Sequence, residues 1–115
     1  MKHSEKRKKI TNKILSKQIN NGLRSIKDIS KIIIAYEPVW SIGTGLIPKS
    51  NDLLNSISFI KNKFRKKTPK VLYGGSVNSK NIAQLKDISI IDGFLIGGAS
   101  QSSKKFIDII KKTFN

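Results

Sequence analysis

The amino-acid sequence predicts an α/β fold, and three observations support this prediction. The 115-residue chain opens with a helical pattern and then repeats a strand followed by a helix three times. The segments between successive strands are long enough for right-handed crossovers, so the strands should be parallel neighbours in one sheet. Small residues or a Glu-Pro pair follow each strand, so the residues suited to binding should share one edge of that sheet.

The first helix is predicted within the first thirty residues, where apolar side chains recur at helical spacing. Its apolar residues are Ile10, Ile14, Leu15, Ile19 and Leu23. Asn20-Asn21-Gly22 is a plausible end for this helix. The first strand is predicted at 32–36, because this β-branched run lacks polar alternation and is typical of a strand buried on both faces. The strand ends at Glu37-Pro38.

The second unit begins after a glycine-containing loop, where Ser50 can cap a helix. The apolar face of that helix is formed by Leu53, Leu54, Ile57, Ile60 and Phe64. A short strand at 70–73 follows and runs into Gly74-Gly75-Ser76. Ser79 can then cap a short helix that carries Ile82 and Leu85.

The third unit is predicted to hold a strand near 91–96, which ends at Gly97-Gly98. The last helix should run from about Ser103 to Thr113. We expect this helix to bury Phe106, Ile107, Ile109 and Ile110.

Composition limits the classes of function. The net charge of +16 suggests a nucleic-acid partner, but the 23 Lys and Arg residues are spread along the chain and form no stripe with interleaved aromatic residues. The chain contains 20 Lys and 20 Ile residues, both encoded by AT-rich codons, so codon bias accounts for much of the charge. We therefore expect no nucleic-acid partner. The sequence has no cysteine and one histidine, which excludes a disulfide scaffold and a cysteine-based zinc site.

Compartment also follows from composition. A reducing cytoplasm is the default for a chain without cysteine, and the basic start is followed by no apolar stretch of signal-peptide length. No apolar run is long enough to span a bilayer, so we expect no membrane association.

Glu37 is the candidate catalytic residue. It follows a strand, and Pro38 stiffens the backbone beside it, so burial at this edge would make its carboxylate a usable general base. The alternative is an ordinary solvated carboxylate at a strand end. The glycine pairs are, taken singly, more often turns than ligand sites. Two consecutive strands ending in small residues, however, suit phosphate binding by backbone N–H groups.

Three motifs carry a family resemblance. The segments AYEPVWSIGTG at 35–45, YGGSV at 73–77 and GFLIGGAS at 93–100 closely resemble the triosephosphate isomerase family. Upstream, Glu5, Thr11 and Gln18-Ile19 resemble the fifth helix of its barrel. The resemblance implies the C-terminal portion of a TIM (β/α)8 barrel, with three parallel strands and four helices and the barrel incomplete. Residues 1–115 would form one partial domain, from the fifth helix through the eighth βα unit.

The resemblance also implies roles for single residues. Glu37 matches the base that interconverts dihydroxyacetone phosphate and glyceraldehyde 3-phosphate through an enediolate, a step of glycolysis and gluconeogenesis. The residues that match the phosphate grip are Gly43, Ser76, Gly97 and Gly98. The residues that match the lid and its latch are Pro38, Val39, Trp40, Ile42, Thr44, Gly45 and Tyr73. Trp40 and Tyr73 could instead be core aromatic residues.

The resemblance finally implies that both halves of the barrel contribute residues to the catalytic site. The family's catalytic Lys, its neutral His and a supporting Asn come from the first half of the barrel, and none is recognisable here. His3 lies in a segment similar to the one that carries the family's His, but the family places that segment roughly twice as far before the glutamate, so we interpret this match as coincidental. We therefore expect a fragment of a longer protein that is inactive alone.

Partners and alternatives follow from the same resemblance. The family uses no metal or organic cofactor, binds a small phosphorylated triose and is usually homodimeric. The alternatives are an inactive phosphate-binding barrel remnant and a basic nucleic-acid-binding module.

Overall fold

The computed structural model describes residues 3–38, 47–64 and 67–114, and it describes no side chains for 3–8 and 30. In this part of the chain the order is α1 (His3–Gly22), β1 (Ile33–Tyr36), α2 (Ser50–Asn62), β2 (Lys70–Tyr73), α3 (Ile82–Lys86), β3 (Gly93–Phe94) and α4 (Ser103–Thr113). Short 3-10 helices lie at Ile29–Lys31 and Gly98–Gln101. The predicted α/β class, with three parallel strands in an open sheet and four helices, is confirmed for the described residues.

The sheet has the order β1-β2-β3, and both pairs of neighbours are parallel. Tyr36 of β1 lies opposite Tyr73 of β2, which in turn lies opposite Phe94 of β3. Because the strands are parallel, the residues that follow these three meet at one edge of the sheet. We call that edge, formed by Glu37, 74–76 and 95–98, the C-terminal rim.

The core lies between the sheet and the helices. Its fully buried side chains are Leu53, Ile57, Ile60, Val71, Tyr73, Ile82, Leu85 and Ile109. The apolar faces predicted for α2 and α3 therefore supply most of it, although Leu54 is exposed and Phe64 is half-buried beyond the end of α2. Among the described side chains of α1, Leu15 is the buried one, while Ile10 and Ile14 remain exposed.

The predicted burial of α4 is mostly wrong. Ile109 is the buried residue of this helix, whereas Ile107 and Ile110 are exposed and Phe106 is half-buried. The helix packs against α3 and the 3-10 helix at Gly98–Gln101, and these elements cover one side of it.

Strand β1 also differs from its prediction. We expected burial on both faces, but Ile33 is 64% exposed and Ala35 is exposed, while Ile34 and Tyr36 are half-buried. The alternation gives the physical reason: Ile34 and Tyr36 pack against the core, whereas Ile33 and Ala35 lie on the opposite face of the strand, which no described element covers.

Strand β3 is shorter than predicted. Its ladder spans Gly93–Phe94 and not 91–96. The carboxylate of Asp92, rather than a backbone carbonyl, accepts the N–H of Val71 at 2.8 Å, so a side chain replaces the first bond of the ladder. The backbone N–H of Leu95 donates to the Tyr73 carbonyl at 3.0 Å and extends the pairing toward the rim.

Two predicted helix caps are wrong. Ser50 is the first residue of α2 and not its N-cap; the N-cap is Lys49, which makes no capping side-chain bond. Helix α3 begins after Asn81, and the side chain of Asn78, not Ser79, accepts the N–H groups of Lys80 and Asn81. Asparagine competes well for this position because its short side chain bonds to N–H groups two and three residues later.

Candidate active site

Glu37 lies at the C-terminal rim, directly after β1. Its side chain packs against Gly74: a Cβ atom added to Gly74 would lie 2.7 Å from Glu37 Cγ and 2.9 Å from Oε1. The N–H of Gly74 donates to the carbonyl of Tyr36 at 2.8 Å, so the β1–β2 ladder continues into the rim and fixes this contact. Because Gly74 has no side chain, the side chain of Glu37 can lie against its backbone.

The prediction that Glu37 is buried is wrong for the described structure. Its side chain is exposed, and it borders a cavity of about 380 Å³ between β1 and the C-terminal half of α1. Pro38, the next residue, is buried and anchors the backbone that carries the carboxylate. Position is therefore fixed by the backbone, while the carboxylate itself remains accessible.

A second cavity, of about 640 Å³, lies beside the first at the rim. We call it the glycine cleft, and it is lined by residues 74–80, Gly97, Gly98, Ala99 and Lys105. Three predicted phosphate-binding residues, Ser76, Gly97 and Gly98, are thus brought together in one cleft. Gly74 belongs to this cleft and also touches Glu37, so one glycine separates the carboxylate from the cleft.

The backbone at Gly97 and Gly98 is open toward the cleft. A Cβ atom built at either glycine would meet no atom of the described residues within 4 Å. The Gly97 carbonyl accepts two hydrogen bonds, from the N–H of Ser100 at 2.9 Å and its hydroxyl at 2.6 Å. These bonds hold the turn, while the described residues show no internal acceptor for the N–H of Gly97 or Gly98. Free N–H groups beside open space are suited to binding an anion.

The other wall of the cleft is held by a pair of asparagines that the sequence reasoning missed. The side chain of Asn81 accepts the N–H of Asn78 at 2.9 Å and donates to the carbonyl of Ser76 at 3.0 Å. The side chain of Asn78 in turn accepts a bond from the N–H of Asn81 at 3.0 Å. The signal was present, since two asparagines three residues apart after a Gly-Ser turn have the spacing of a reciprocal cap. These bonds position Ser76 in the cleft.

Tyr73 is fully buried in the core, where its side chain packs with those of the helices. That location fits the alternative role of a core aromatic residue, and the latch role stays a prediction. Five of the predicted lid residues, and the predicted phosphate-binding residue Gly43, lie outside the described residues. These are Val39, Trp40, Ile42, Gly43, Thr44 and Gly45.

Asp92, which lies away from the rim, forms an ion pair and has a shifted pKa. Its carboxylate accepts bonds from Lys61 Nζ at 2.8 Å and from the N–H of Val71 at 2.8 Å. Burial raises the pKa of Asp92, but these two bonds and the charges of Lys61 and Lys70 more than offset it, so the pKa lies below its ordinary value. Because Val71 is near the start of β2, this pair stabilises the fold and takes no part in the rim.

Within the described ranges no group of three or more His, Cys, Asp or Glu residues is placed to hold a metal ion. Among the same residues, no helix has both the length and the apolar character needed to cross a membrane.

Comparison with known proteins gives one family. The sequence model of the triosephosphate isomerase family matches residues 2–113. A triosephosphate isomerase of Debaryomyces hansenii is 40% identical over 114 residues, which cover 93% of this chain and 46% of that protein. Those of Yarrowia lipolytica and Mycoplasma mobile are each 44% identical, over 92% and 85% of this chain and 45% and 40% of the respective protein. The chain thus spans about half the length of the curated relatives it matches.

Proposed function

We propose that the chain, which belongs to the triosephosphate isomerase family, supplies the catalytic base and part of the phosphate-binding site of such an enzyme. The substrate would be a small phosphorylated triose, and the reaction would interconvert dihydroxyacetone phosphate and glyceraldehyde 3-phosphate. The proposal treats residues 1–115 as one partial barrel domain and places it in the cytoplasm. It also assigns to the whole enzyme the homodimeric state usual in the family.

One observation carries this proposal: Gly74 contacts the side chain of Glu37 and also lines the glycine cleft. A three-carbon substrate is short, so its phosphate and its reacting carbons must be held close together. A phosphate bound to the N–H groups of Gly97 and Gly98, with Ser76 beside it, would place the carbon chain near the carboxylate.

The proposed reaction moves one proton between carbons and one between oxygens. The carboxylate of Glu37 removes a proton from the carbon next to the carbonyl, and the electron pair moves to the carbonyl oxygen to give an enediolate. The same carboxylate then returns the proton to the former carbonyl carbon, while the hydroxyl proton passes from the first oxygen to the second, so the atoms balance without a redox partner or a cofactor.

Stabilisation of the enediolate needs groups beyond Glu37. In the family that the chain resembles, these groups are a Lys and a neutral His from the first half of the barrel. We therefore propose that turnover requires that half. The open edge of β1 supports this, since among the described residues β1 pairs with β2 alone and its other edge can accept a further strand.

Complementation tests the proposal. The chain is mixed with the portion of the Yarrowia lipolytica relative that it does not match, and conversion of glyceraldehyde 3-phosphate is followed with a coupled dehydrogenase. We expect activity from the mixture and none above background from either part. Turnover by this chain alone would contradict the requirement for the remaining portion.

Variants of Glu37 make the test specific. Loss of the base in Glu37→Gln should lower kcat by about 10²- to 10⁴-fold, and the shorter Glu37→Asp by about 10²-fold. Asp87→Asn is the matched control, since Asp87 is exposed at the end of α3 and borders neither cavity. A Glu37→Gln mixture as active as the control would overturn the proposed base.

The alternatives give different outcomes. An inactive phosphate-binding remnant would bind phosphate at the glycine cleft but would not restore interconversion of the trioses. A nucleic-acid-binding module would retain DNA or RNA on a filter at physiological salt with sequence dependence. Weak retention that is lost on adding salt would reflect only diffuse charge.

A further inference from the structure

The glycine cleft carries two lysines that lie outside all three family motifs. Lys80 and Lys105 line it together with the glycine loops, and its described lining includes no Asp or Glu. The cavity beside Glu37 has the opposite character, because its described lining includes that carboxylate and no lysine. Positive and negative groups are therefore separated, with Gly74 between the two cavities.

Local hydrogen bonds hold the backbone of Lys80. Its N–H donates to the side chain of Asn78 at 2.9 Å, and the carbonyl of the preceding Ser79 accepts a bond from Lys112 Nζ at 3.2 Å. The turn between β2 and α3 is thus fastened to α4, so the Lys80 side chain starts from a fixed point on one wall.

Lys105 lies in the first turn of α4, on another wall of the cleft. Its N–H donates to the Ser102 side chain, the N-cap of that helix, at 3.4 Å. The acid nearest along the helix, Asp108, pairs with Lys112 at 3.6 Å. Among the described residues no carboxylate pairs with Lys80 or Lys105, so both ammonium groups are available to a ligand.

We propose that Lys80 and Lys105 are anion-binding residues that make the glycine cleft selective for a doubly charged phosphate over singly charged anions. The inference rests on the proposed function for the nature of the ligand, a phosphate monoester. Coulomb attraction scales with the charge of the ligand, so the two lysines favour a dianion about twice as strongly, in energy, as a monoanion. The glycine N–H groups fix the position of the anion, and the lysines add attraction.

The test is an NMR titration of the full ¹⁵N-labelled chain with inorganic phosphate and, separately, with acetate, at pH 8 and constant ionic strength. The amide signals of Gly97 and Gly98 report binding at the cleft. Lys80→Gln and Lys105→Gln should each weaken phosphate binding by about two- to fivefold, and the double variant by more. Acetate binding should change less, so the preference for phosphate should fall.

Two controls separate the lysines from general charge and from structure. Lys13→Gln removes one equally exposed charge on α1, away from the cleft, and should leave phosphate affinity unchanged. Lys80→Arg and Lys105→Arg keep the charge and should retain affinity. Because both lysines are exposed, the variants should give amide spectra of the folded chain.

Several results would overturn the inference. These are unchanged phosphate affinity in both glutamine variants, an equal loss in Lys13→Gln, or an equal loss for acetate. Absence of any phosphate effect on Gly97 and Gly98 would also overturn it. None of these results decides the proposed function, which depends on triose conversion by the complemented enzyme, and loss of that conversion with intact phosphate selectivity would refute the function alone.

Discussion

Replacing Gly74 by alanine tests how the rim positions its carboxylate. The new Cβ atom would lie 2.7 Å from Glu37 Cγ and 3.2 Å from Cδ. Carbon atoms in contact normally lie about 3.5–4.0 Å apart, so the Glu37 side chain must move by about 1 Å. Because that side chain is exposed, it can rotate toward solvent, and the surrounding core need not change.

Two terms determine the effect on stability. The φ angle of Gly74 lies outside the left-handed region, so alanine adopts the same backbone and gains about 0.4–1 kcal/mol through the unfolded state. Forcing Glu37 from its rotamer costs about 0.5–1.5 kcal/mol. The free energy of unfolding should therefore change by less than about 1 kcal/mol. Catalysis should suffer far more, since a displacement of about 1 Å lowers kcat by about 10²-fold.

The assay pairs urea unfolding of the chain with kcat of the complemented enzyme. Asp87→Asn again serves as the control, because Asp87 is exposed and borders neither cavity. A Gly74→Ala enzyme with kcat within twofold of that control would refute the positioning argument. A loss of several kcal/mol in stability would instead make the contact a structural one.

Three further predictions concern stability and the cleft. Asp92→Asn should destabilise the chain by about 1 kcal/mol at pH 7; since the folded pKa of Asp92 lies below its unfolded value, its stabilisation is complete above about pH 4 and is lost as pH falls through the folded pKa. Urea unfolding of the native chain and of Asp92→Asn at pH 7 and pH 2 checks this. The same difference in the free energy of unfolding at both pH values would contradict it. Gly93→Ala places a Cβ atom 2.8 Å from Leu72 Cδ2 and should cost about 1–3 kcal/mol, seen as a lower urea midpoint at unchanged slope; an unchanged midpoint would show that Leu72 moves freely. Asn81→Ala removes the bonds to Asn78 and Ser76 and should lower the free energy of unfolding by about 1–2 kcal/mol. Phosphate should also bind several-fold more weakly in the NMR titration. Unchanged phosphate affinity would mean that the loop needs no such support.

Elements defined by long apolar patterns could be predicted from the sequence. Helix α1 ends at Gly22, β2 spans Lys70–Tyr73 and α4 spans Ser103–Thr113, as their patterns indicate. Ser76, Gly97 and Gly98, which the motifs single out, line one cleft at the rim, and their phosphate-binding role stays a prediction. These predictions succeed because hydrophobic periodicity and strand order depend on the chain itself.

Features that depend on neighbouring elements could not be predicted. The exposure of Ile33 and Ile110 follows from how much of each element is covered, which apolar character does not reveal. The Glu37–Gly74 contact depends on the register that sets Tyr36 opposite Tyr73. Likewise, the bonds that the Asn78 side chain accepts from the N–H groups of Lys80 and Asn81 depend on the geometry of the turn, whereas the sequence predicted Ser79 as the cap.

Deuterium exchange tests the central claim, that Glu37 is the base of a triosephosphate isomerase site. Dihydroxyacetone phosphate is incubated in D₂O with the complemented enzyme, and loss of the proton on the carbon next to the carbonyl is followed by ¹H NMR. The proposal predicts rapid exchange with the native chain and exchange at the background rate with Glu37→Gln. Exchange at the native rate in the Glu37→Gln enzyme would contradict it.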